Sequence, residues 1–176
     1  MPSILALSGS LRASSSNTAV LEAIAALTPA DTSVTLYCGL AGLPAFNPDR
    51  EDEPIAAVAD LRQQLTDADG LLISSPEYAH GVPGSLKNAL DWVVGSGELI
   101  DKPVGVINAS PYSTFAQASL IETLKTMNAT VVPEASITVS LRGKGLDANG
   151  ILEDAAVSAA LREAAAALCR AIEKAG

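Results

Sequence analysis

The chain predicts an α/β fold: a doubly wound, five-stranded parallel sheet in the order 2-1-3-4-5 with helices on both faces. Short apolar runs alternate with helical periodicities along its 176 residues, without repeats, low-complexity tracts or an internal linker. Strict alternation implies right-handed crossovers into one parallel sheet. The first apolar run is continuous whereas the second alternates with polar residues, so the second belongs at an edge, which fits that strand order. Apolar residues make up 48% of the chain but aromatics only 3%, so the core is built from Ala, Val, Leu and Ile, and abundant alanine favours closely packed helices. One domain over residues 1–176 is expected, long enough to bury a substantial core.

Ile4-Leu5-Ala6-Leu7 is a strand covered on both faces. A helix from Ser15 or Asn17 to Leu27 follows, with Val20, Leu21, Ile24 and Leu27 on one stripe and Pro29 past its end. Val34-Thr35-Leu36-Tyr37 is the alternating edge strand. The stretch Cys38 to Glu53, with Gly39, Gly42, Pro44 and Pro48, is a long loop, and Pro54 suits the first turn of a helix that turns Ile55, Val58, Leu61 and Leu65 inward. Gly70 to Ser74 is the third strand. A helix from about Pro83 to Val94 and a fourth buried strand at Val104-Gly105-Val106-Ile107 come next. Ala116, Leu120, Leu124 and Met127 mark the fourth helix. The fifth strand is Thr130-Val131-Val132, Ile137-Thr138-Val139, or both with Pro133 between. Arg142 to Gly150 is a loop rich in glycine and charge, and Val157, Leu161, Ala164, Leu168 and Ile172 define a fifth and last helix.

A net charge of −9 argues against nucleic acid or an anionic membrane as partner, and means that an anionic ligand would need a local positive site. No apolar run reaches the ~18 residues of a membrane span, and the N-terminus lacks a signal-peptide charge pattern. Cys38 and Cys169 have neither metal-ligand nor redox-pair spacing, so bystander thiols in a reducing cytoplasm are expected, and no metal.

Two loops carry the chemistry. In a sheet of this order the loops after strands 1 and 3 meet in one crevice at the switch point, where open α/β sheets bind ligands. The first, Ser8-Gly9-Ser10-Leu11-Arg12-Ala13-Ser14-Ser15-Ser16-Asn17, offers hydroxyls, freed amides and a helix N-terminus to an anion, with Arg12 as a positive fork. The same residues also suit a plain serine-rich N-cap. No G-x-G-x-x-G follows strand 1 and no G-x-x-x-x-G-K-[ST] occurs, which argues against the usual dinucleotide and P-loop sites. The second loop, Ser75-Pro76-Glu77-Tyr78-Ala79-His80-Gly81-Val82-Pro83-Gly84, is stiffened by prolines, can approach a ligand closely at its glycines, and holds the chain's single histidine. Trp92 lies on a helical stripe with Leu86, Leu90 and Val93 and suits core packing or an interface, and Lys87 and Asp91 are spaced to pair on the helix surface.

Gly9-Ser10-Leu11-Arg12 with Ser15 and Asn17, then Pro76-Glu77-Tyr78, Pro83-Gly84 and Leu86-Lys87-Asn88-Ala89-Leu90-Asp91-Trp92, closely resemble the NAD(P)H-dependent FMN reductase family over the whole chain length. The resemblance implies a flavodoxin-like fold and an oxidoreductase related to quinone, azo-dye and chromate reductases. It also implies FMN held at its phosphate by Ser10, Arg12, Ser15, Ser16 and Asn17. Pro76, Glu77, Tyr78, Ala79, His80 and Gly81 would line the flavin ring, largely through backbone amides, and Ser110 would close the site after strand 4. Three departures stand out. Ala79 replaces a frequent Asn, His80 occupies a variable position, and Ser110-Pro111-Tyr112-Ser113-Thr114-Phe115 replaces a glycine-rich loop and would narrow access through its two aromatics.

FMN is expected over FAD, since one compact anion site suits a terminal monophosphate and no second glycine loop serves a pyrophosphate. No protein acid or nucleophile is required, because flavin carries the chemistry. Hydride from NADPH or NADH would pass to the flavin and then to free flavin, a quinone or a similar acceptor, and one shared pocket predicts ping-pong kinetics. The rival readings are a flavodoxin-like electron carrier without its own nicotinamide site, which an acidic chain suits, and a nucleotide-binding regulatory module without redox chemistry. The resemblance implies a homodimer or homotetramer. The apolar loop Cys38 to Glu53, and Trp92 with Val93, are the expected partner surfaces.

Overall fold

Strand β1 (Ser3–Ser8) is central to the architecture, pairing in parallel with β2 (Ser33–Tyr37) on one side and β3 (Gly70–Ser74) on the other. The computed structural model describes residues 1–141 and 147–176. Beyond β3 lie β4 (Pro103–Ile107) and a short β5 (Thr130–Val131), giving the all-parallel order 2-1-3-4-5. The fold is thus the expected flavodoxin-like one. Every residue of β3 and β4 is buried, whereas β2 alternates between exposed and covered positions, as an edge strand must.

Alternation along the strands divides the core into two layers. Ile4, Ala6, Leu72 and Ile107 meet helices α1 (Ser16–Leu27), α5 (Ala148–Glu153) and α6 (Ala155–Ala175). Leu5, Leu7, Leu71, Ile73, Val104 and Val106 meet α2 (Ala56–Asp67), α3 (Gly84–Val93) and α4 (Thr114–Thr126). The predicted stripe of α6, from Val157 to Ile172, is buried throughout.

Some expectations are corrected. Helix α2 starts at Ala56 with Ile55 as N-cap, so Pro54 precedes the helix instead of forming its first turn; the Ile55 amide donates to the Glu53 carbonyl, which turns the chain before the helix begins. There are six α-helices among the described residues, not five. Part of the expected loop from Arg142 to Gly150 is the start of α5, where the Asp147 carboxylate accepts from the Gly150 amide and overcomes the poor helix propensity of Asn149-Gly150. Residues 142–146 lie outside the described residues. Of the two candidate fifth strands only the first forms: β5 covers Thr130–Val131 and pairs with the start of β4, and a 3-10 turn at Pro133–Ala135 follows it. The Ile137–Val139 stretch makes no strand but an isolated bridge, Asn108 exchanging backbone bonds with Ile137 and Val139.

The long 38–53 loop folds back on its own chain. Asn88 accepts from the Phe46 amide (2.7 Å) and donates to the Pro44 carbonyl (2.9 Å), and the Trp92 indole donates to the same carbonyl (2.8 Å). Phe46 meets the Trp92 ring edge-on, with centroids 5.1 Å apart. Trp92 and Val93 are buried within the chain, so they are not a partner surface as expected.

Candidate active site

Register brings three loops to the carboxyl edge of the sheet. Ser8 lies opposite Ser74, and Ser74 opposite Ile107, so the segments after β1, β3 and β4 start side by side. The Gly9 amide donates to the Ser74 carbonyl at 2.8 Å. A Cβ at Gly9 would fall 2.6 Å from Ser75 Oγ, 3.0 Å from Ser75 Cβ and 3.1 Å from Leu86, so glycine is what lets the first two loops close together.

The first loop presents an anion-ready helix start. Ser15 caps α1, its hydroxyl accepting from the Thr18 amide at 3.4 Å, and the leading amides of the twelve-residue helix have no partner within it. The helix dipole adds positive potential there. Ser14, Ser16 and Arg12 are exposed, Ser10 and Ser15 half-buried, and no ion pair among the described residues engages Arg12. Asn17 is buried, its Oδ1 accepting from Ser74 Oγ at 2.9 Å, while Ser8 and Thr18 share a hydrogen bond of 2.8 Å. Those two bonds fasten the helix start to the ends of β1 and β3.

The second loop holds a strained hairpin. Tyr78 and Gly81 exchange backbone hydrogen bonds of 3.1 and 3.0 Å, and the residues between them, Ala79 (φ 49°) and His80 (φ 60°), both occupy the left-handed region. Positive φ at both central positions is the two-residue hairpin turn that Gly or Asn ordinarily fills. Such strain concentrates at functional sites and persists only where the surroundings enforce it. Two contacts do so from α4. Glu77 Oε2 accepts from the Ala116 amide at 2.8 Å, capping a helix whose N-cap residue Ser113 makes no side-chain cap bond. The His80 ring stacks on Phe115, with centroids 4.3 Å apart and planes within 16°. Pro76, Glu77 and Gly81 are half-buried, and Tyr78 is 52% exposed at the rim.

After β4, Ser110 is half-buried and its Oγ accepts from the Tyr112 amide at 3.3 Å. The residue that shapes this loop is Asn108, which the sequence reading passed over. It is buried, accepts from the Ser110 amide (3.0 Å), and donates to the Ser113 carbonyl (3.1 Å) and Gln117 Oε1 (2.9 Å). A polar residue directly after the apolar run of β4 was the available signal.

A hollow of about 920 Å³ lies at the opposite, amino edge of the sheet, lined among others by Met1, Asp69, Glu98, Asp101 and Lys102. Its main polar groups serve the fold. Lys102 Nζ donates to the carbonyls of Leu65 (2.7 Å) and Ala68, and burial lowers its pKa. Asp69 accepts from the Ser3 amide at 2.7 Å, a bond that holds its carboxyl below its ordinary pKa.

Among the described residues, only the carboxyl edge combines an open helix start, exposed serine hydroxyls and a guanidinium at one end with a backbone turn beneath a half-exposed aromatic at the other. That donor set fits a monophosphate joined to a flat heterocycle, the chemistry of FMN. Among the described residues no group of three His, Cys, Asp or Glu could hold a metal ion, and no helix is long and apolar enough to cross a membrane.

Residues 2–143 match the family model for NADPH-dependent FMN reductase. The chain is 34% identical over 157 residues to an NAD(P)H-dependent FMN reductase of Pseudomonas aeruginosa, covering 86% of this chain and 84% of the relative. It is 34% identical over 152 residues to a 2-hydroxy-1,4-benzoquinone reductase of a Burkholderia species, covering 81% and 80%. Among solved structures, the flavoenzyme NAD(P)H:(acceptor) oxidoreductase FerB from Paracoccus denitrificans superposes with a TM-score of 0.89 at 26% identity, over the whole of both chains.

Proposed function

The chain belongs to the NADPH-dependent FMN reductase family, an FMN- and NAD(P)H-dependent oxidoreductase, and we propose that it reduces a small planar acceptor, a quinone or free flavin, by a ping-pong mechanism in one shared pocket. The carrying observation is the open carboxyl-edge crevice, with an anion-ready loop at one end and the Tyr78–Gly81 turn at the other. Bound FMN supplies the hydride and electron chemistry.

The chain's own residues bind and orient. Ser10, Arg12, Ser15 and Ser16 would hold the phosphate together with the first amides of α1. Asn17 acts behind them, setting the position of that helix start through Ser74. The backbone of Pro76 to Gly81 would face the ring, where amide donors stabilise negative charge on its pyrimidine edge. The Glu77 carboxylate is already engaged on α4, so Glu77 contributes backbone to the ring and side chain to the scaffold. Ser110 would close the far side. A half-exposed Tyr78 beside an open crevice suits successive visits by nicotinamide and acceptor.

A second copy of the chain is the proposed cover for the apolar rim of Leu11, Tyr78 and Tyr112, giving a homodimer or homotetramer. Sedimentation at micromolar concentration tests this: a fully active 17.9 kDa species would refute it.

The deciding experiment is the visible spectrum of protein loaded with FMN, before and after anaerobic NADPH or NADH. Rapid bleaching followed by recovery on adding a quinone supports the reductase. Flavin bands that persist with either nicotinamide favour the electron carrier, which the net charge of −9 suits for docking on basic partners. Initial rates at varied concentrations of both substrates give parallel double-reciprocal lines if the mechanism is ping-pong.

A further inference from the structure

The stacked pair His80 and Phe115 joins the two segments that the proposed function places at the flavin-ring end, the hairpin after β3 and the start of α4 after β4. Both rings stand at the surface. Phe115 is 56% exposed and His80 is exposed, so neither is a core residue that merely fills space. An exposed aromatic pair gains little from burial, yet this one is made by a residue at φ 60° whose neighbour is also left-handed. Left-handed backbone is disfavoured for side chains such as these, so the contact accompanies a conformation that local preference opposes. The Glu77 bond to Ala116 fixes the base of the same junction at 2.8 Å, leaving the ring pair as its outer edge.

We propose that His80 and Phe115 are specificity-determining residues: their stacked rings wall the ring end of the crevice and favour thin, flat acceptors over thick ones. The inference rests on the proposed function. Closing one side of the crevice with a rigid aromatic edge limits the thickness of what can lie against the flavin, while a flat quinone still slides in parallel to it. Phe115 is the cleaner site of intervention, because it is not assigned to cofactor binding.

The test compares 1,4-benzoquinone with 2,6-di-tert-butyl-1,4-benzoquinone, whose bulk projects out of the ring plane. Phe115→Ala and His80→Ala should each shift the ratio of kcat/KM toward the bulky quinone by about tenfold, within the range that pocket shape controls. His80→Phe, which keeps a ring at the stack, should hold the wild-type ratio. A readout independent of turnover is the dissociation constant of each quinone from the oxidised, FMN-loaded protein by flavin absorbance, which should shift in the same sense. If wild type binds FMN and is reduced by NAD(P)H but both alanine variants keep its ratio, the wall is refuted and the proposed function stands. His80→Phe behaving like His80→Ala also refutes it. Failure of wild type to bind FMN or accept hydride overturns the proposed function and the wall with it.

Discussion

The two edges of the sheet use their polar groups in opposite ways. At the amino edge the hollow is lined by Lys102 and Asp69, both committed to the fold: Lys102 bridges two carbonyls at the end of α2, and Asp69 ties the start of β1 to the start of β3. At the carboxyl edge Arg12 has no ion pair among the described residues, Ser14 and Ser16 of the first loop are exposed, and two non-glycine residues sit in left-handed backbone. Hydrogen-bonding capacity left for a ligand, together with left-handed backbone, is what makes the carboxyl edge the proposed site.

The contrast makes separable predictions. Arg12→Ala should weaken FMN binding by about 1–3 kcal/mol, the range of a charge-assisted hydrogen bond, and leave the melting temperature of the apoprotein unchanged. A titration with unchanged affinity would remove Arg12 from the phosphate site. Lys102→Met should do the reverse. Two carbonyls lose their donor, at a cost of about 1–2 kcal/mol offset in part by no longer burying an ammonium, so the melting temperature falls by several degrees while FMN affinity holds. A binding defect there would break the division between the edges.

Ala79→Asn should stabilise the apoprotein by about 0.5–1 kcal/mol, since Asn tolerates left-handed backbone better than Ala. A lower melting temperature would mean that the turn carries less strain than its dihedrals imply. The smallest effect belongs to Asp69→Asn. The Ser3 amide lowers the folded pKa of Asp69, so its stabilisation is present above the unfolded aspartate value and is lost as pH falls through the lowered folded value. Because Asp69 is exposed, screening limits this to under about 1 kcal/mol. Wild type and variant should therefore differ slightly in denaturant midpoint at pH 7 and converge in acid.

The fold was legible because its signals are local. Strand order followed from one alternating run beside continuous ones, and helix stripes followed from spacing. What escaped is of two kinds, one local and the rest dependent on partners far along the chain. The start of α5 is local: the Asp147 side chain accepts from the Gly150 amide and carries Asn149-Gly150 into a helix that their propensities oppose. The helical stripe of Trp92 suits core or interface alike, and it is the Pro44 carbonyl, 48 positions away, that holds it inside. The site's residue types were readable from the loops, but the engagement of the Glu77 carboxylate with α4 and the shaping role of Asn108 are tertiary facts. The left-handed pair at Ala79 and His80 runs against local preference, so no propensity could announce it.

The clip between Asn88, Trp92 and the 38–53 loop has a practical corollary. The chain has a single tryptophan, and its indole is bonded to Pro44 and edged by Phe46. Intrinsic fluorescence is therefore a one-channel reporter of whether that loop is docked. In a stopped-flow unfolding record, a Trp92 signal that runs ahead of helix loss by circular dichroism would time the release of the loop as a separate event, without any label attached to the protein.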